Sequence, residues 1–266
     1  MPELPEVEII KRELEKVVVN KKIIDVIINN AKVIREPKKE KFIKELKNVA
    51  VKEIIRRGKL LIFILSSGKS LTIHLKMTGQ LIYPGSGKTS RVSFKFSDGK
   101  LLDFNDSRIF GELRVVDNWQ DLKFIKELGP EPFALTENKF SEILKKRKTK
   151  IKVLIMDQKI ISGIGNLYAN EALFRAKIDP RRSVNSLSKR ETGKLFEEIK
   201  KVLSEAIKHG GSSVDQYLRV SGKPGEYVKH HQVYDRKDEQ CYKCKGKVKR
   251  ISLGGRGTYF CPGCQK

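Results

Sequence analysis

Two places in this sequence gather residue types able to do chemistry, and they lie at its two ends. Near the C-terminus, Cys241 and Cys244 form one C-x-x-C pair, sixteen residues follow, and Cys261 and Cys264 form a second. That spacing is that of a four-thiolate zinc site. A redox pair usually stands alone beside a βαβ unit, whereas here two pairs flank an expected hairpin, so the expected cofactor is one structural zinc ion. Four protein ligands would leave no open position for a water. Residues 1–240 contain no cysteine, which does not suit an extracellular disulfide framework. At the other end, Met1 precedes Pro2, a small residue that permits removal of an initiator methionine. Removal would expose a secondary amine that can attack the anomeric carbon of a sugar and form an iminium. With reference values of about 7.8 for an α-amine and 10.4 for lysine, about 14% of the amine is neutral at pH 7, against about 0.04% of a lysine. Glu3 beside it could move protons. On spacing alone, the same residues also fit a frayed terminus whose first-turn acids complement a helix dipole.

The charge balance narrows the partner. Lys and Arg total 56 against 32 Asp and Glu, a formal net charge of +24, with a pI near 9.8. Such an excess calls for a polyanion, with nucleic acid foremost, although a uniformly lysine-coated surface would give the same sum. Its position must decide. Lys245, Lys247, Lys249, Arg250 and Arg256 lie between the cysteine pairs, and Arg256 sits in Gly254-Gly255-Arg256-Gly257, either a solvated turn or a tip that approaches a partner. A second basic run comprises Lys145, Lys146, Arg147 and Lys148, with Lys150 and Lys152. Gly163-Ile164-Gly165-Asn166 opens an expected helix through a flexible turn that could hold a phosphate. Gly85-Ser86-Gly87-Lys88-Thr89 only resembles a nucleotide-binding loop: Ile82 stands where the first glycine belongs, and a strand pattern follows.

Elements must position these groups. Leu4, Val7, Ile10, Leu14 and Val17 recur at spacings of three and four, which predicts an amphipathic helix with Pro5 in its first turn. Short β-rich runs at 23–28, 49–56, 60–65, 70–75, 91–96, 100–104 and 112–116, broken by a helix near 39–46, predict an antiparallel sandwich. After Gly129-Pro130-Glu131-Pro132 the pattern turns helical, at 136–146, 151–156, 165–176 and 188–208, with Ser188 and Glu191 spaced as a capping box. Residues 221–226 read as a mobile glycine and proline loop. The expected class is α+β and multidomain: a sandwich domain with an N-terminal helix over 1–130, a helical domain over 131–230, and a zinc finger with a β-hairpin over 231–266. No stretch reaches the roughly 18 to 20 apolar residues of a membrane span, nor does the start read as a signal peptide, so a cytoplasmic protein is expected.

Seven blocks, in order along the whole chain, resemble the formamidopyrimidine-DNA glycosylase (Fpg/MutM) branch of the Fpg/Nei family: M-P-E-L-P-E-V-E at the start, R-R-G-K at 56–59, I-H-L-K-M-T-G at 73–79, M-D-Q-K-I-I-S-G-I-G-N-L-Y-A-N-E at 156–171, S-G-K-P-G at 221–225, Q-V-Y-x-R at 232–236, and the four-cysteine finger. The resemblance implies a helix-two-turns-helix in the helical domain. It also implies a monomeric, bifunctional enzyme of base excision repair, associated with the nucleoid, that excises 8-oxoguanine and formamidopyrimidines from damaged double-stranded DNA and nicks the strand by β,δ-elimination. It makes Pro2 the Schiff-base nucleophile, Glu3 its acid/base partner and Lys59 a proton donor and phosphate contact, while Glu6 orders the site. His74, Lys152, Asn166, Tyr234 and Arg256 would hold the kinked backbone. Met77, Arg108 and Phe110 would fill the gap left by the extruded base, and a loop over 219–227 that includes Ser221 would close over it. Ile109 departs from the pattern, since the family often carries a second basic residue there. The other readings are an endonuclease VIII-like glycosylase for oxidised pyrimidines and a non-catalytic DNA-binding module.

Overall fold

Apolar spacing of three and four, with a proline where a missing N–H costs nothing, starts the chain as a helix. In the computed structural model, which describes residues 1–145 and 147–266, α1 runs Leu4–Val18 and buries Leu4, Val7, Ile10, Leu14 and Val18 completely. Nine strands and a short helix follow: β1 (Lys22–Ile28), β2 (Ile34–Glu36), α2 (Lys39–Leu46), β3 (Val49–Arg57), β4 (Leu60–Leu65), β5 (Ser70–His74), β6 (Gly79–Ile82), β7 (Val92–Phe96), β8 (Leu101–Asp106) and β9 (Glu112–Val116). They order as β2-β9-β5-β4-β3-β1-β7-β8-β6. Only two residue pairs, Lys22↔Ala50 and Ile23↔Val49, join β1 to β3, so the sheet has a weak seam between a five-strand and a four-strand half. Val51, Ile54, Leu61 and Phe63 of the first half share one apolar core with Ile23, Val26, Val92 and Phe94 of the second and with the buried face of α1.

Two strands lie outside the sequence expectation. β2 has three residues and pairs in parallel with β9, Ile34 opposite Leu113, so the sandwich is not wholly antiparallel. β6 is too short for its alternation to stand out, and its pairing with β8, Gly79 opposite Asp106, decides it.

The remaining elements are α3 (Lys123–Lys126), α4 (Glu137–Lys145), α5 (Ile151–Met156), α6 (Asn166–Arg175), α7 (Lys189–Lys208), and the hairpin strands β10 (Lys249–Leu253) and β11 (Arg256–Phe260). The helix expected over 136–146 reaches Lys146, which lies outside the described residues. α7 begins as its spacing requires: the Ser188 N–H donates to Glu191 Oε2 (2.8 Å) and the Glu191 N–H to Ser188 Oγ (3.2 Å). Arg182 pairs with the same carboxylate, and with Ser188 it holds Glu191 down to about 2.

The chain packs as two compact units, Met1–Lys126 with Ile207–Val228, and Glu127–Ala206 with Lys229–Lys266. Residues 207–228, which the sequence division places in the helical region, thus go with the sandwich, because Tyr217 and Val220 are buried in its core. The finger shares a unit with the helices. No helix among the described residues is long and apolar enough to cross a membrane.

Candidate active site and nucleic-acid interface

In the sandwich unit, the start of α1 is a built structure. Glu3 is the N-cap, and its N–H donates to Glu6 Oε2 at 2.8 Å while its own side chain accepts from the first turn, a capping box made of two glutamates. The other oxygen of Glu6 accepts the N–H of Ser212 at 3.0 Å. Pro2 is buried, and Glu3 and Glu6 are 4% and 3% exposed. An order of this kind is the opposite of a frayed end. About one turn along the helix, Glu8 accepts from Arg56 Nε at 2.9 Å, and Arg56 Nη1 donates to Gly58 O at 2.9 Å. Gly58, with φ +59°, makes the two-residue turn between β3 and β4 whose second residue is Lys59, 8% exposed. The helix that carries Pro2 and Glu3 therefore also ties down the turn that carries Lys59.

His74 ends β5 opposite Leu60 on one side and Glu112 on the other. Its Nδ1 accepts the Lys76 N–H at 3.0 Å. Burial of the ring, then the Lys76 ammonium, lower it to about 3, so the imidazole is neutral at physiological pH and can offer a hydrogen bond but no charge.

Met77, Arg108 and Phe110 stand on two turns of the same unit. Met77 and Phe110 are 41% and 47% exposed, which no core residue would be, and the Arg108 guanidinium lies 4.6 Å over the Phe110 ring. One side chain holds both turns. Asp106, at the end of β8 and 2% exposed, accepts from the Thr78 hydroxyl and from the N–H groups of Arg108 (3.3 Å) and Gly111 (2.6 Å). The sequence reading did not single out Asp106; its only signal is an acid at the buried end of an apolar strand. Ile109, between Arg108 and Phe110, has φ +59°, a conformation costly for a β-branched residue, and packs partly on the sandwich core. Ser221 lies exposed on the loop that returns to this unit.

In the helical unit the organising group is Lys152. It sits on α5, fully buried, and its ammonium donates to Asn166 Oδ1 (2.7 Å), Thr258 Oγ1 (2.7 Å) and Gly257 O (3.1 Å). These three acceptors all lie within the same unit, so the ammonium ties α5 to α6 and to the hairpin. Asn166, the first residue of α6, also donates to Gly257 O at 3.0 Å. Lys152 and Asn166 thereby fasten the two helices to the finger hairpin. Between those helices, Gln158 accepts the Gly163 N–H (2.9 Å) and donates to Ile164 O, so that amide of the Gly163–Asn166 turn is already engaged.

The finger tip is a two-residue turn in which Gly254 (φ +58°) and Gly255 (φ +70°) make the primed geometry that a tight hairpin requires, and Arg256 leaves it exposed. Glu171 of α6, fully buried, accepts the successive N–H groups of Gln232, Val233 and Tyr234 at 2.9, 3.0 and 2.8 Å. Burial raises its pKa against those three donors. Tyr234 is held with its ring 5.2 Å from that of Tyr259. Glu171 closes one of the quoted blocks, but only the fold shows that it grips Tyr234's backbone.

The four cysteine sulfurs lie within 4.8 Å of one another, with Cys241 to Cys264 at 3.8 Å and Cys244 to Cys261 at 3.3 Å. A tetrahedral zinc with bonds of about 2.3 Å needs sulfurs about 3.8 Å apart, so the four fit one such ion. The Gly246 N–H and the neighbouring thiols lower Cys244 to about 7, which readies one thiolate near neutral pH.

Three family models cover most of the chain: the formamidopyrimidine-DNA glycosylase N-terminal domain matches residues 1–113, its H2TH domain 128–217, and the zinc finger found in FPG and IleRS 238–266. A formamidopyrimidine-DNA glycosylase of Pelotomaculum thermopropionicum is 39% identical over 100% of this chain and 99% of its own length. That of Listeria monocytogenes is 39% identical with 100% of each covered. Among solved structures, the MutM (FPG) protein of Thermus thermophilus superposes with a TM-score of 0.90 at 35% identity, covering 99% of this chain and 98% of that one. A Lactococcus lactis FPG variant in complex with Fapy-dG-containing DNA gives 0.91 at 36% identity, with both chains fully covered.

Proposed function

The chain belongs to the formamidopyrimidine-DNA glycosylase family, and from that premise we propose that it excises oxidised purines, 8-oxoguanine and formamidopyrimidines, from damaged double-stranded DNA through a covalent bond to Pro2 and then cuts the strand. The observation that carries the proposal is the order at the chain's start: Pro2 and Glu3 are buried at a helix end that Glu6 caps and fixes. Such burial and capping fix the chain's start in one geometry, as a nucleophile requires.

Once Met1 is removed, the Pro2 nitrogen places its lone pair on C1′ of the damaged nucleotide. The bond from C1′ to the base breaks, its electrons go to the base, and the base leaves with a proton. Opening of the sugar ring puts a proton on O4′ and gives the iminium between C1′ and the prolyl nitrogen. Loss of a proton from C2′ then expels the 3′ phosphate, a second elimination expels the 5′ phosphate, and hydrolysis returns the free amine. Glu3 is the acid and base for the sugar's protons, and Lys59 donates a proton and meets the phosphate at the lesion. A base cannot react while stacked, so Met77, Arg108 and Phe110 fill the space it vacates, with Arg108 meeting the orphaned base. His74, Asn166, Tyr234 and Arg256 hold the strand, Lys152 acts by orienting Asn166, and Ser221 lies on the loop over the extruded base. Zinc on the four cysteines supplies folding energy to the hairpin that presents Arg256.

Borohydride reduces an iminium to a stable amine, so a duplex containing 8-oxoguanine should trap the protein covalently. Intact mass should show Met1 absent, and peptide mapping should place the adduct on Pro2. P2G should lose trapping by about two orders of magnitude or more while its fold is retained. Full-rate cleavage by protein that keeps Met1 would overturn the mechanism. A strong preference for thymine glycol would transfer the protein to the oxidised-pyrimidine reading, and the absence of any adduct would make it a binding module.

A further inference from the structure

Glu13 lies seven residues beyond Glu6 on α1, two turns along the same face. Both spend their carboxylates on one distant segment. Glu6 Oε1 accepts the N–H of Ser212. Glu13 Oε1 accepts from Arg219 Nε at 2.6 Å and pairs with Nη2, while its Oε2 accepts the N–H of Val220 at 2.9 Å. Val220 is held from the other side as well, since its carbonyl accepts the Tyr83 N–H at 2.8 Å and its side chain is 3% exposed in the sandwich core beside Tyr217. At the far end, Gly225 donates its N–H to Ser213 Oγ at 2.8 Å. A Cβ on Gly225 would meet the carbonyl oxygens of Gly210 and Gly211 at 2.3 Å. The part between these anchors is small and exposed: Ser221, Gly222, Lys223 and Pro224, closed at its base by the Arg219 N–H to Lys223 O and the Gly222 N–H to Arg219 O, both at 2.9 Å. An open cleft of about 480 Å³ lined by Ile9, Arg12, Glu13, Arg219, Lys223 and Pro224 lies beside that tip.

We infer that Glu13 is a positioning residue: with Glu6 it locks residues 212–220 to the helix that carries Pro2, so that only the tip, 221–224, moves when the loop covers an extruded base. The inference rests on the proposed function for what the loop covers, and on the hydrogen bonds alone for the lock. A charge-assisted fork plus a backbone N–H on one carboxylate is a strong attachment, and it confines the sequence-expected mobile loop to four residues. Nucleophile and lid then share one frame, which fixes the distance between them and removes most of the entropy of closing the loop on each turnover.

The test compares wild type, E13A, E13Q and R219M on two duplexes, one with 8-oxoguanine and one with a preformed abasic site, and follows hydrogen exchange in the peptide covering 217–223. Release of the damaged base needs the lid, whereas nicking an abasic site has no base to cover. E13A should lower single-turnover base release by about tenfold, equivalent to about 1.4 kcal/mol, and leave abasic-site nicking within about twofold. Exchange should rise at 217–223 and not in β4. E13Q keeps an acceptor for the Val220 N–H and should fall between wild type and E13A. R219M should add little to E13A, because both remove the same attachment. An equal fall on both duplexes would mean that Glu13 merely stabilises α1, and unchanged exchange would mean that it locks nothing; either result overturns the inference. If wild type nicks abasic duplex but releases no 8-oxoguanine, the substrate assignment fails instead, and the lock stands or falls on exchange alone.

Discussion

The sandwich and the finger both present exposed side chains on short turns, and they make those turns rigid by different means. Behind Met77 and Phe110 stands a core drawn from two half-sheets and two helices, and a single buried carboxylate, Asp106, sets the last few ångströms. Behind Arg256, among the described residues, a small apolar cluster of Phe174, Val233, Cys241, Val248 and Cys261 stands beside the buried Phe260 ring, and two of the cluster's five members are candidate metal ligands. So little apolar area cannot offset the entropy of ordering the module. The finger needs a metal, together with polar ties such as Lys152, Glu171 and Gln265, whose amide donates to Ile178 O at 2.8 Å. Where the core is large, polar groups fine-tune; where it is small, they and the metal carry the fold.

Metal removal is the sharpest way to break this contrast. Chelation, or C244S, should unfold residues 238–266 outright, since zinc binding by small modules is worth about 10–16 kcal/mol in apparent terms, and should leave the sandwich folded. Metal analysis paired with residue-resolved NMR checks it. Resonances of β10 and β11 that persist without metal would show that the finger's own core suffices. A smaller effect is expected at Asp106. D106A strands the Gly111 and Arg108 N–H groups and the Thr78 hydroxyl, and should cost the sandwich unit about 1–3 kcal/mol in denaturant unfolding. The apolar core should keep the unit folded; global unfolding would show that the carboxylate, and not the core, is decisive there.

Acid should produce the smallest change and act on both units. His74 in the sandwich and His231 in the finger unit lie well below an ordinary histidine, at about 3 and about 4, in each case chiefly because burial disfavours the charged ring. The unfolded chain binds these protons first, near pH 6.5. Stability is therefore complete above that value and falls as pH drops through 6.5 toward the folded values. From pH 7 to 5.5 each histidine should cost up to about 1 kcal/mol. Unfolding curves for H74N and for wild type should converge as pH falls if His74 carries its share, and a constant difference between them would remove it from the account.

Much of this molecule was legible before folding, because local physics writes itself into spacing. The apolar period of α1, the Ser188 and Glu191 cap of α7, most of the strands and the cysteine pairs each depend on residues a few positions apart, and the ordered blocks carried the family. Short β2 and β6 escaped because three or four residues hold too little alternation to distinguish a strand from a turn.

What the sequence by itself determined is therefore most of the elements, the metal-binding thiols, the family and the residue types available for chemistry. Tertiary structure alone decided that Lys152 points inward, that residues 207–228 pack with the sandwich, and that Glu6, Glu13, Asp106 and Glu171 are grips on backbone N–H groups. The physical reason is that an acid's partner here is another segment's main chain, which is chemically alike at every residue. No side-chain pattern can announce which N–H it will meet until the chain has folded.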